Sequence, residues 1–337
     1  MEAKAHTPVG TRVVRYLKAH PVIFLILLTP GIPEYLSSSS PINAIVLSPP
    51  QFVFQLLANA GLYGTGALLI HDAAIRWKKG WAAILLLGAA YGILEEGVAL
   101  STLFDPNAAP VGALGSYGHW LGVNWVWAAG IVPFHAVFSI SIPILLLGLA
   151  IPETRLKPLL SKRRTVAALL ILSVDVVTLM VVVWHVSGYW MGWPILILSL
   201  LSIGCLAFSS WRLRPPPSGR FGARPAPSPK RAFAVGVSFF PVVLLTQSLG
   251  RGAGLPAALD FLLVLAVQAF YLLYVARRSW GDSRRRVLAF VLGLLVPIMV
   301  FGVLAELVLP LTFLADLVVI IFFWRLWATG DVPYGMA

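Results

Sequence analysis

Apolar runs of roughly twenty residues, separated by short polar or Pro- and Gly-rich breaks, repeat along the chain from residue 18 to residue 326. About twenty helical residues at 1.5 Å each cover the roughly 30 Å hydrocarbon core of a bilayer. The pattern predicts ten helices: Lys18–Tyr35, Gln51–Ile70, Trp81–Phe104, Leu121–Ile151, Thr165–His185, Trp193–Trp211, Ala232–Leu249, Leu255–Ala276, Val287–Val308 and Leu311–Leu326. Pro30 and Pro33 interrupt the first. The fourth is long enough to be tilted, or broken near Pro133 or Pro143. Between the sixth and seventh lies RLRPPPSGRFGARPAPSPKR, Arg212 to Arg231, which has too few apolar residues to insert and whose prolines favour an extended linker. The expected organisation is a six-helix module over 1–211, a basic linker over 212–231 and a four-helix module over 232–337. No internal repeat is visible by eye.

Composition sharpens this to an all-α, polytopic integral membrane protein. The chain is 59% hydrophobic and 11% charged, where soluble domains are nearer half apolar and a quarter charged. The net charge of +12 would suggest nucleic acid in a soluble protein. Here the basic residues sort by side. With a cytoplasmic N-terminus and ten spans, 24 of the 25 Lys and Arg fall in cytoplasmic segments, and only Arg251 lies outside. A miscounted helix would invert every later loop, so the positive-inside bias supports the count, places both termini in the cytoplasm, and explains the charge without a nucleic-acid partner. The expected location is the plasma membrane and the expected partner the lipid bilayer. Glycine stripes at 61–66 and 88–92 also suit close packing against another helix or a membrane-protein partner. The single cysteine, Cys205, excludes an intramolecular disulfide. No metal-ligand spacing, P-loop or dinucleotide fingerprint is present, so no metal is expected and no cofactor is indicated.

One stretch breaks the apolar pattern. In AAYGILEEGVALSTLF, Glu95 and Glu96 lie some fifteen residues into an outward-running helix, about 20 Å from its inner end. Glu96 shares a face with Gly88 and Gly92, and Glu95 with Tyr91, a candidate hydrogen-bond donor. Carboxylates at that depth are costly and face a protein interior or a water cavity. Further polar residues fall at similar depth or on the outer rim: Glu34 in GIPEYLSSSSP, His119 and Asn124 before the fourth helix, His135 midway along it, and His185 near the outer end of the fifth. Together they predict an acidic cavity open to the outer side.

The acidic pair followed by one His on each of two later helices resembles the CAAX-protease and bacteriocin-processing family of glutamate-type intramembrane proteases. That family carries Glu-Glu-x-x-x-Arg, Phe-x-x-x-His and His-x-x-x-Asn. Glu95 and Glu96 match the pair, and His135 and His185 the two histidines. Leu100 stands at the Arg position, Ile131 at the Phe and Tyr189 at the Asn. The resemblance implies a Glu-activated water, with His groups stabilising the oxyanion, and assigns Glu95, Glu96, His135 and His185 as catalytic.

Three functions follow from these residues. An intramembrane hydrolase would use Glu95 or Glu96 as base, with a histidine polarising the scissile carbonyl. An ion- or proton-coupled transporter would use the acid pair as its cation site, with Glu34, Tyr91, His119 and Asn124 binding ion or substrate. A non-catalytic subunit or scaffold would use the glycine stripes and the basic linker.

Overall fold

A computed structural model describes residues 16–214, 224–225, 227–280, 283–306 and 309–331. Most of the expected linker, 215–223 and 226, lies outside the described residues, as do Lys4, Arg12 and Arg15. Ten apolar helical segments follow in order: α1 (Pro21–Tyr35), α2 (Pro49–Arg76), α3 (Trp81–Ala99), α4 (Trp125–Ala150), α5 (Lys162–Ser187), α6 (Gly192–Arg212), α7 (Pro229–Gly252), α8 (Ala257–Ala276), α9 (Arg284–Ala305) and α10 (Thr312–Ala328). Eight of them, α2 to α9, are long and apolar enough to cross a membrane. The ten segments agree with the expectation of about ten helices, and the two end ones are the shortest. The segment α1 is shorter, and α10 has 17 residues.

Local chemistry sets the boundaries. Pro49 and Pro50 open α2, where a missing N–H costs nothing. Ser161 and Ser283 cap α5 and α9 by accepting from the N–H of Arg164 and Arg286. Gly188, at φ 71°, ends α5 in a left-handed turn that a side chain would strain.

Three expected boundaries move. The second helix runs on to Arg76 rather than ending at Ile70. The third helix stops at Ala99 rather than Phe104; Ser101, at φ 58°, turns the chain. The fourth begins at Trp125 rather than Leu121. Residues 119–124 instead form a two-stranded hairpin, β1 (His119–Trp120) and β2 (Val123–Asn124), around Leu121 and Gly122. Both turn residues have positive φ, 52° and 76°, the twist that closes a two-residue hairpin loop.

The helices before and after the linker share one apolar core that includes Leu25, Leu68, Phe138, Leu147, Leu288 and Leu295. Across it, Gln247 and Gln268 donate to the backbone oxygens of Val126 and Ala129 on α4 at 2.7 and 2.6 Å. Such bonds satisfy polar groups that lipid cannot. The helices α7 and α9 cross where Gly236 meets Gly293. A Cβ on either would fall 2.3 Å from a backbone oxygen of the other helix. By contrast, α5 and α6 stand at the edge. Only 11% and 6% of their apolar windows are buried, against 67% for α3 and 61% for α4.

Candidate functional site

Each helix that supplies the site does so from a π-helical stretch. Four occur among the described residues, within α1 to α4: Gly31–Tyr35, Ala60–Gly64, Leu94–Ala99 and His135–Ser141. They carry, respectively, Glu34, Tyr63, Glu95 with Glu96, and His135 with Ser139. A π turn widens the helix by a residue and is found disproportionately at functional sites. In the third stretch it lets two consecutive carboxylates serve one neighbour, where regular α geometry would point them about 100° apart.

That neighbour is His135. Its Nε2 lies 2.9 Å from Glu96 Oε1, and its Nδ1 lies 2.9 Å from Ser139 Oγ and 3.1 Å from Glu95 Oε2. The approach of the helices depends on small residues. A Cβ on Gly88 would fall 2.8 Å from Cα of Ala136, and one on Gly92 would fall 3.2 Å from Cβ of His135. The face holding Gly88, Gly92 and Glu96 is therefore the one that meets α4. The three groups are dry, with Glu95 1% exposed, Glu96 6% and His135 2%.

The surroundings extend the polar cluster in two directions. Thr102 Oγ1 donates to Glu96 Oε2 and accepts from Trp127 Nε1 at 3.1 Å. On the other side, Tyr63 Oη donates to Glu34 Oε1, and Ser40 donates to Glu34 Oε2 at 2.7 Å. The rings of Tyr63 and Tyr91 lie 6.2 and 6.3 Å from the imidazole. Two buried oxygens of this cluster make no hydrogen bond: Tyr91 Oη and Glu95 Oε2. Buried polar atoms are nearly always paired, so these two need an explanation.

The structure thus brings together Glu95, Glu96, His135, Tyr91 and, through Tyr63, Glu34. It does not bring in the rest. Asn124 holds the outer loop, donating to the backbone oxygens of Thr102 and Asp105 at 2.8 and 2.9 Å, while its Oδ1 lies 2.7 Å from His119 Nδ1. His185 is exposed on the edge helix α5. Three partners were not singled out from the sequence: Tyr63, Thr102 and Ser139. Tyr63 stood inside the Gly61–Gly66 stripe, a usable signal. Thr102 was hidden because the helix was read straight through it.

Toward the C-terminal end of α2 the cluster ends at Tyr63, with Tyr91 beside it. The next buried titratable group on α2 is His71, eight residues and about 12 Å further along. Ala67, Leu68, Ile84 and Leu87 fill the core between them. Beside the Glu-bearing stretch, a cleft of about 330 Å³ is lined by Leu94 and Val98 with Leu172, Val176 and Met180 of α5 and Leu196 of α6.

Residues 23–335 match the model of an uncharacterized membrane protein family. The chain belongs to that family. No curated protein and no solved structure matches it. Family membership and the apolar helices agree that this is a multi-pass membrane protein whose surroundings are a lipid bilayer.

Proposed function

We propose that the chain is an intramembrane hydrolase of the glutamate type, acting in the plasma membrane on amide or ester groups held within the outer half of the bilayer. The observation that carries this reading is the dry Glu95–His135–Glu96 arrangement, in which one imidazole is held by one carboxylate and faces a second with an uncommitted oxygen. Both oxygens of Glu96 are engaged, by His135 and by Thr102, which suits a positioning role. Glu95 Oε2 is the free base. It takes a proton from water as the water oxygen bonds to the scissile carbonyl carbon. The Tyr91 hydroxyl donates to the developing oxyanion, and the proton then passes by way of His135 to the leaving group as its bond to carbon breaks. The likeness of Glu95, Glu96 and His135 to the glutamate-type protease pattern points the same way. The exposed position of His185 leaves it out of the chemistry. The apolar layer below Tyr63 favours hydrolysis over ion passage, and the cleft beside Leu94 and Val98 suits a substrate arriving from lipid.

The test compares peptide termini in membranes of cells expressing the wild type or the Glu95→Gln/Glu96→Gln variant. A set of termini should depend on the wild type, and its formation should slow by about 10²- to 10⁴-fold in the variant, the usual contribution of a positioned acid–base group. Identical termini from a variant that inserts and folds normally would sink the hydrolase reading.

A further inference from the structure

The two unpaired oxygens and the charge of the cluster raise a question that the roles above leave open. Two ionised carboxylates around a neutral imidazole would carry two negative charges into a dry, low-dielectric interior, a heavy desolvation cost. Protons on the imidazole and on one of the two carboxylates would bring the sum to zero. A divalent cation with a neutral imidazole also brings the sum to zero. The donor set suits one. Glu95, Glu96 and His135 each offer a ligand atom, all three atoms lie within 4.8 Å of one another, and all three residues are buried. Ligand atoms on one zinc, with bonds near 2.0–2.1 Å, sit roughly 3–3.5 Å apart. The observed separation of 2.9 Å from Nε2 to Glu96 Oε1 is already close to that.

The supporting shell is also the kind that metal sites use. A ligating imidazole presents one nitrogen to the metal and anchors the other by a hydrogen bond, which fixes its tautomer and orientation. Here Ser139 Oγ stands on Nδ1, leaving Nε2 to face the Glu96 oxygen. Thr102 holds the second oxygen of Glu96, and Trp127 holds Thr102. Independently, Tyr91 is 3% exposed, packs against the imidazole and leaves its hydroxyl without a partner. Its unused donor and acceptor capacity matches a water molecule on the ion. Three protein ligands with an open position is the arrangement of catalytic rather than structural zinc.

We propose that Glu95, Glu96 and His135 bind a single divalent transition-metal ion of the zinc class, with Ser139 and Thr102 as positioning residues and Tyr91 facing the open coordination position. The site stands on its donors and does not depend on hydrolysis. A one-oxygen contact from Glu95 leaves its other oxygen free to act as base, so the two readings are compatible and separable.

The experiment uses the full-length protein in nanodiscs, stripped with a chelator, exposed to Zn²⁺ alone and dialysed, with the retained metal counted by mass spectrometry. The wild type should retain stoichiometric zinc. His135→Ala and the Glu95→Gln/Glu96→Gln pair should lose it. Thr102→Val should bind about 10- to 100-fold more weakly, the usual cost of removing an outer-shell partner, and His185→Ala should bind normally. Loading the wild type with Co²⁺ should give the visible absorption of a low-coordinate nitrogen–oxygen site, a readout that needs no variant to fold. Substoichiometric zinc in the wild type, or equal zinc in His135→Ala, overturns the proposal. Zinc bound without any wild-type-dependent termini would overturn the hydrolase and leave the metal site standing. Hydrolysis by fully stripped protein would do the reverse.

Discussion

The chain buries a histidine beside a carboxylate in two places, and the two are built differently. Near the C-terminal end of α2, His71 Nδ1 lies 3.2 Å from Asp72 Oδ1 and its Nε2 lies 2.8 Å from the Thr154 oxygen. Asp72 also accepts from the backbone N–H groups of Leu159 and Leu160 at 2.7 and 2.9 Å and from Arg76 at 3.4 Å. Every charged or polar atom of that pair is engaged, mostly by backbone of the loop before α5. It is a clasp holding the connection between α4 and α5 to the helix end. The cluster around His135 also sets an imidazole beside carboxylates with similar burial, yet Glu95 and Tyr91 each keep an unpartnered oxygen. Burial of an acid beside a histidine therefore does not mark chemistry by itself. Unused bonding capacity is what sets this cluster apart from the clasp, although unpaired buried oxygens also occur on Asp175, Asp260 and Asp316.

The sharpest way to break this contrast is Asp72→Ala. It leaves two buried backbone N–H groups without acceptors, at about 1–3 kcal/mol each, so a loss of roughly 3 kcal/mol in unfolding free energy is expected, with turnover per folded molecule unchanged. A variant of normal stability and lost turnover would mean that the inner pair is functional after all.

A second carboxylate tests the structural side under titration. Glu306, at the turn between α9 and α10, is buried, which alone would push its carboxyl up. The Ser38 hydroxyl and the N–H groups of Thr312 and Ile42 outweigh burial and hold it below the ordinary carboxylate range. A depressed native value means that the stabilisation is complete above the unfolded value, about 4.3, and is lost as pH falls through the native one. Thermal stability should therefore decline on acidification below about pH 5, with a shallower decline in Glu306→Gln, since that contribution no longer titrates. A decline of equal steepness in both proteins would remove Glu306 as its source.

The smallest expected effect belongs to His185→Ala. An exposed side chain away from the cluster should cost no more than about 0.5 kcal/mol and leave turnover unaltered. A large loss of turnover would put His185 back among the catalytic groups.

Much of the frame was legible in the sequence, because bilayer thickness imposes a length on every apolar run and charge bias checks the count. The ten apolar segments were located to within a few residues, apart from the ends at Ile70, Phe104 and Leu121. Glu95, Glu96 and His135 stood out because a charged or titratable group deep in an apolar run has a cost that needs a reason. What stayed hidden depends on register. Spacing of 3.6 residues places Glu95 and Glu96 on different faces, and only the π-helical stretch lets both reach His135. Tyr63 and Glu34 meet by the same departure in α2 and α1. Thr102 reaches Glu96 because the helix ends early. Tertiary packing against Gly88 and Gly92, rather than local preference, decides these details.

Those four widened turns also bear on how the sequence tolerates change in length. A π turn amounts to one residue added to a helix that otherwise keeps its course. In α2 and α4 the π turn divides the helix into two halves whose faces are offset by that residue, with the polar group at the joint, and in α1 and α3 it forms the last turn. Removing a single residue within His135–Ser141 would restore an unbroken α-helix and swing the downstream half by about 100°, carrying the connection to α5 with it. Point substitutions across the cores of these helices would be absorbed far more readily than a one-residue deletion at any of the four π turns. Kin of this chain should accordingly keep their residue count fixed between 31 and 141 at these places, even where the side chains drift.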